Sequence, residues 1–286
     1  MNSNLLSLIK KEGLKQDEDG IYLTEIISEN KIQDDERELR ERVSSVTYDN
    51  YLDVISKNHS ISVMDYEVDV FLKKMPQGAV ILDIGGCWGW HWRRIGKSRP
   101  DISILIIDFV KSNLTHALNV VKDLVGKQIL LMHADATLLP FSTNIGIFDG
   151  IWTAQTFQHI PDFKRAVNEA YRLLKPKGVF INYSLHITPF NKIIYKILNK
   201  QYHIKGIVKN TFYLARANND QLRDIENIFN NKVSVRYTEN LFHPDFHFTN
   251  SGKINNRLGF LDIILSKYFF ISKFIGRQAS FEIQKL

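Results

Sequence analysis

Four short stretches hold the side chains that could do chemistry. In residues 79–92, AVILDIGGCWGWHW, an apolar run carrying Asp83 breaks at once into Gly85, Gly86 and Gly89. Glycines there permit backbone conformations and a close ligand approach that a Cβ would obstruct. Asp108 closes the run ISILII, 25 residues beyond Asp83. Nucleotide-binding sheets hold an acidic residue at about that remove, where its carboxylate accepts hydrogen bonds from two ribose hydroxyls. Asp135 stands in ADATLLPF, and His159 follows TAQTFQ. A dinucleotide turn would place glycines as G-x-G-x-x-G. Counted from Gly85, Cys87 and Trp90 take the second and third places, so that reading fails.

The elements that must position these residues follow from periodicity. Val80, Ile81, Leu82 and Ile84 suit a strand buried on both faces of a parallel sheet. From residue 79 onward strand alternates with helix, the pattern of right-handed parallel α/β units. Strands are expected at 102–107, 129–133, 148–152 and 179–183, helices at 112–125, 163–174 and 219–229, and two last strands at 233–237 and 280–284. Ahead of them, 63–75 is an amphipathic helix ended by Pro76-Gln77-Gly78, and 29–42 is a charge-rich helix with opposite charges at helical spacing. The expected organisation is a helical cap or lid over 1–75 and a ligand-binding α/β domain over 76–286, with substrate-side insertions at 185–217 and 241–278.

Taken together, these segments resemble the class I S-adenosylmethionine (SAM) dependent methyltransferases, in the small-molecule branch. Asp83 followed by Gly85, Cys87 and Gly89 is similar to the family's acidic residue and G-x-G-x-G, with Cys87 in place of the middle glycine. ADATLLPF resembles G-D-A-x-x-L-P-F, FDGI the F-D-x-[IV] strand, and LKPKG the L-K-P-x-G turn into the fifth strand. The resemblance covers 79–183 and thins beyond. It implies a Rossmann-like, seven-stranded, mostly parallel sheet with an antiparallel last strand and helices on both faces. It also implies that Gly85, Gly86, Cys87 and Gly89 contact the methionine part of SAM. Asp108, with Phe109 beside it, would meet the ribose, and Asp135 with Ala136 the adenine. Ala154 and Gln155 would border the reacting methyl group, Asp83 would organise the turn and the amino end of the cofactor, and Tyr51 resembles a lid tyrosine of the family. His159 is the candidate general base, a role needed mainly for a hydroxyl or another acceptor protonated at pH 7; it could equally cap or pack the next helix.

Composition narrows the rest. The chain has 286 residues, 44% hydrophobic and 24% charged, the balance of an ordinary globular protein. One cysteine, Cys87, excludes an internal disulfide framework and a cysteine-based zinc site, and makes a reducing compartment, the cytoplasm, the expectation. The apolar run at the N-terminus is too short for a signal peptide. His243-Pro-Asp-Phe-His247 gathers metal-binding side chains, yet Pro244 blocks helical presentation, and no metal is expected. DNA is disfavoured, because amino-methylating DNA enzymes resemble one another in an N/D-P-P-Y run where this sequence has TAQTF. The net charge of +6 is uneven: residues 1–50 hold 7 Lys/Arg against 12 Asp/Glu, and residues 183–286 hold 15 against 7. The stretch 258–275 is an amphipathic helix or helix pair, expected to pack on the sheet; peripheral membrane contact is the less favoured alternative. The expected function is methyl transfer from SAM to a small-molecule, glycan-precursor or lipid acceptor. The alternatives are an inactive partner subunit of the same fold, or an enzyme acting on RNA or protein.

Overall fold

The computed structural model describes residues 3–24, 31–44, 51–142, 146–208, 212–244 and 252–286. The chain opens with α1 (Ser3–Lys11), β1 (Lys15–Gln16), β2 (Tyr22–Leu23), α2 (Lys31–Ser44), α3 (Tyr51–Asn58) and α4 (Ile61–Leu72). The α/β succession follows: β3 (Val80–Ile84), α5 (Ile95–Ser98), β4 (Ser103–Asp108), α6 (Lys111–Val120), β5 (Ile129–His133), β6 (Phe148–Ala154), α7 (Phe163–Leu173) and β7 (Leu174–Leu185). Then come α8 (Pro189–Ile197), the hairpin β8 (Lys205–Val208) and β9 (Phe212–Ala215), α9 (Asn219–Phe229), β10 (Ser234–Thr238), α10 (Gly252–Leu265), α11 (Phe269–Ile275) and β11 (Gln278–Gln284).

Except for β8 and β9, which pair with each other alone, the described strands form one sheet in the order β1-β2-β5-β4-β3-β6-β7-β11-β10. Strands β5, β4, β3, β6 and β7 run parallel, and β11 lies antiparallel to both β7 and β10. Every residue of β3 and β4 is buried, as continuous apolar runs in a sheet covered on both faces require. Among the described residues the sheet has nine strands, not the seven expected. The N-terminal segment adds β2 parallel to β5, with Tyr22 opposite Met132, and β1 antiparallel to β2. One apolar cluster, with Phe157, Phe180 and Phe229, fills one face of the sheet; a second, with Phe71, Trp92 and Trp152, fills the other.

Two local expectations are corrected. The helix expected directly after the glycine turn is a single 3₁₀ turn at Trp90–Trp92, followed by the short α5. The indoles of Trp90 and Trp92 are buried there, and Trp92 meets Trp152 edge-on at 6.2 Å. The turn expected at 174–178 is an irregularity within β7, where the pairing with β6 shifts register and Lys177 takes φ +65°.

Candidate functional site

Strand order reverses between β3 and β6, since β4 and β5 lie to one side of β3 and β6 and β7 to the other. In open α/β sheets a crevice forms at the C-terminal ends of the strands at such a point. Here it is a cavity of about 220 Å³ lined by residues from the ends of four strands. Across the sheet they run from Asp135 and Ala136 past β5, to Asp108 and Phe109 at β4, to Gly85 and Cys87 after β3, and to Ala154 and Gln155 at β6.

The turn after β3 is held on both sides. Gly85 (φ +70°) and Gly86 donate their N–H groups to Ile107 O at 2.8 and 3.1 Å. Thr156 Oγ1, at the end of β6, lies 3.2 Å from both Gly85 O and Ala154 O. A Cβ on Gly85 would come within 2.2 Å of that threonine side chain. Cys87 adopts φ +51°, the left-handed conformation that favours glycine, which accounts for a glycine in the family pattern at this place. Its N–H donates to Asp108 Oδ2 at 3.0 Å, and burial, with Asp108 adding, pushes its thiol pKa up.

Beneath the turn, Asp83 is buried and accepts from Trp92 Nε1 at 2.7 Å. A Cβ on Gly86 would meet Asp83 Oδ2 at 2.2 Å, so this glycine makes room for the carboxylate below it. Burial pushes the Asp83 carboxyl up to about 7; the Trp92 bond works against that, and the charge of Asp108 adds to it. Gly89 faces Ile106.

On the β4 and β5 side the cavity presents two carboxyl groups. Asp108 Oδ1 accepts from Val110 N at 2.9 Å and Asn113 Nδ2 at 3.3 Å, and burial raises its pKa. Oδ2 takes the single Cys87 N–H, which leaves it acceptor capacity. Asp135 Oδ1 accepts from Thr137 N at 2.7 Å and Thr137 Oγ1 at 2.8 Å. Rigid acceptors of this kind fit hydroxyl and amino donors of a nucleoside.

The β6 side is different in character. Gln155 stands at φ +56°, with its Nε2 3.4 Å from His59 Nδ1. Trp90 lies between His59, at 5.8 Å between ring centroids, and His91, at 4.3 Å. His91 is buried with no hydrogen-bond partner on either ring nitrogen among the described residues. Burial holds His59 down to about 3, helped by Arg277, and holds His91 well below its ordinary value, helped by His59 and Arg93. Arg277 and Arg93 are themselves bound by Glu239 at 2.7 Å and Asp65 at 2.6 Å. Across the cavity, His159 Nδ1 lies 2.8 Å from Tyr213 O and must therefore be the protonated nitrogen. Nε2 then accepts from Gln158 Nε2 at 3.0 Å. Burial, with Arg40, holds this imidazole down to about 3.

Residues 82–182 match the family described as Methyltransferase domain. Over that segment, about a third of its length, the chain is similar to SAM-dependent methyltransferases. It is 31% identical over 135 residues to the ubiquinone/menaquinone biosynthesis C-methyltransferase of Rickettsia prowazekii, which covers 45% of this chain and 54% of that protein. It is 30% identical over 128 residues to the malonyl-[acyl-carrier protein] O-methyltransferase of Buchnera aphidicola, covering 43% and 47%. The chain thus spans about half the length of the curated relatives it matches. Similar folds include the Haemonchus contortus phosphoethanolamine N-methyltransferase 2 bound to SAM (TM-score 0.50, 17% identity, 77% of this chain and 52% of that one). Another is the [4+2]-cyclase SpnF (TM-score 0.51, 16% identity, 77% and 80%).

Nine residues expected at the site line the cavity: Gly85, Cys87, Asp108, Phe109, Asp135, Ala136, Ala154, Gln155 and His159. Asp83, Gly86 and Gly89 support the turn from below and do not line it. Tyr51 starts α3 and packs half-buried against the Phe71 cluster; Ile55 and His59, one and two helical turns on, reach the cavity instead. Trp88 packs against His116 at 5.2 Å, outside the lining, so it does not block the cavity. Sequence reasoning missed Arg40 and His59, which come from segments with no motif, and His91 and Thr156, which lie in the stretches 79–92 and 153–158 but carry no signal of their own there. The spacing of Ile55 and His59 from Tyr51 was the only available signal. Among the described residues no group of three or more His, Cys, Asp or Glu could hold a metal ion, and residues 245–247 of the His243 motif lie outside them.

Proposed function

We propose that this chain transfers a methyl group from SAM to an uncharged small-molecule acceptor. The observation that carries the reading is the convergence of Asp108 and Asp135 on one cavity beside the Gly85 turn. The residues fit the cofactor: Asp108 Oδ2 has acceptor capacity for ribose hydroxyls, Asp135 and Ala136 border the adenine position, and Gly85 and Cys87 edge the methionine part. The Cys87 side chain leaves its backbone in the left-handed conformation and its N–H engaged with Asp108. SAM supplies an electrophilic sulfonium methyl group. The chain's own task is to hold donor and acceptor near contact and in line, which can contribute on the order of 7 to 11 kcal/mol of the barrier.

The acceptor in this reading lies at the β6 end, between Gln155, His59, His91 and Trp90, a placement supported by the sheet order, which sets β6 on the other side of β3 from β4 and β5. The walls there are neutral imidazoles and an indole, and Arg277 and Arg93 behind them are paired with Glu239 and Asp65, so an uncharged polar or aromatic acceptor suits this end. His159 serves as a base only after the Gln158 amide releases Nε2; until then it is a positioned wall residue. One relative is by name a methyltransferase of ubiquinone/menaquinone biosynthesis, which extends the reading to lipophilic substrates. In this proposal α2 and α3, whose Arg40 and Ile55 line the cavity, act as its cap, while α1, β1 and β2 belong to the sheet and its core; the cytoplasm is the place of action.

Isothermal titration with S-adenosylhomocysteine (SAH) tests it. Wild type should bind one equivalent. Asp108→Ala, which removes hydrogen bonds to a carboxylate worth about 1.5–3 kcal/mol each, should weaken binding roughly 10- to 100-fold. No heat from wild type would replace the enzyme by the inactive partner-subunit reading.

A further inference from the structure

The two helices between β10 and β11 are turned the wrong way for water. Their small and polar residues face the protein. Gly259, Asp262 and Ser272 are buried, Asp262 accepting from Asn240 N at 2.8 Å and Leu241 N at 3.0 Å, and Ser272 Oγ donating to Leu265 O at 2.8 Å. Their apolar residues face outward: Phe270 is 85% exposed, Phe260 69%, and Ile271 and Phe274 close to half. Helix α8 packs on α11 and adds Ile193 and Ile197, one turn apart, the latter 72% exposed. This corrects the expectation that 258–275 packs its apolar side on the sheet. A surface helix in water has the opposite arrangement, and a contiguous exposed apolar face marks a binding surface.

Cations are interleaved with these side chains. Residues 185–208 and 252–276 contain eight Lys/Arg and one Asp/Glu, and that one is the buried Asp262. Lys267 and Lys273 are exposed beside Phe270, and Lys192 and Lys196 beside Ile193 and Ile197. A groove along α8 is lined by Lys192, Lys196 and Lys200 with Tyr195 and Tyr202. Protruding aromatic tips among ammonium groups match an anionic bilayer, where acyl chains take the rings and lipid phosphates the lysines. Among the described residues no helix is long and apolar enough to cross a membrane, so the contact is with its surface.

We propose that α8, α10 and α11 form a docking face for an anionic lipid surface. The face is independent of the methyl-transfer reading. It is also close to the cavity, since α10 packs on α3, whose Ile55 is a cavity wall.

Flotation of the full chain with phosphatidylcholine vesicles, with and without phosphatidylglycerol, tests the proposal. Wild type should float with the anionic vesicles about tenfold better than with the neutral ones and lose that preference in high salt. Phe270→Ser with Phe274→Ser, and separately Lys267→Glu with Lys273→Glu, should each cut partitioning about tenfold or more with the circular dichroism spectrum unchanged. Wild type left in the soluble fraction, or equal flotation of the variants, overturns the proposal. A dimer in analytical ultracentrifugation that Phe270→Ser with Phe274→Ser dissociates would also overturn it, assigning the face to a second copy of the chain.

Discussion

Asp83 does its work one layer below the ligand. Its carboxyl braces the turn through Trp92 and requires glycine at 86. Because its folded pKa of about 7 exceeds the ordinary 3.8, the folded protein keeps a proton that the unfolded chain gives up between those values. Asp83 therefore lowers stability as pH rises through that window. His59 and His159, held down to about 3 from 6.5, act oppositely: their contribution is lost as pH falls from 6.5 toward 3. Asp83→Asn keeps an acceptor for Trp92 and removes the opposing proton uptake. Its stability should fall more steeply than wild type on acidification from 6.5 to 4, by up to about 1.4 kcal/mol per pH unit. Urea unfolding at a series of pH values measures this, and parallel curves for the two proteins would contradict it.

At the scale of elements, what was legible depended on burial. Strands β3 to β5 are nearly continuous apolar runs because both sheet faces are covered, and β5 falls on residues 129–133 as expected. Helix α9 was equally plain, with Asn218 capping its first turn through Oδ1 to Asp220 N and Gln221 N. The edge strand β1 is two exposed polar residues, Lys15 and Gln16, and carries no apolar pattern to find. Site residues at the strand ends were legible from their spacing. Those from α2, α3 and the 3₁₀ turn were not, because only tertiary packing brings Arg40, His59 and His91 to the cavity. The N-terminal segment is also part of the main core, where Leu5 and Ile9 are buried in the same cluster as Phe157 and Phe180. Leu5→Ala should cost about 2–5 kcal/mol, seen as a lower urea midpoint at unchanged slope. An unchanged midpoint would mean that α1 does not fold cooperatively with the sheet.

Across the whole molecule, one sheet orders the chemistry. Its strand sequence β5-β4-β3-β6 sets two carboxyl groups at one end of the cavity and neutral imidazoles with an indole at the other. The proposed direction of methyl transfer rests on that polarity, with the nucleoside at the acidic end and the acceptor at the neutral end. Helix α10, with its outward apolar residues, packs on α3, which leads to His59 in the cavity wall, so a lipophilic acceptor and a lipid-facing surface would share one side of the protein. The measurement that tests this most directly is a crystal structure with SAH bound. The account predicts ribose hydroxyls on Asp108, adenine between Asp135 and Ala136, and sulfur turned toward Gln155, His59 and His91. SAH bound with its ribose away from Asp108, or with its sulfur turned away from Gln155, would contradict it.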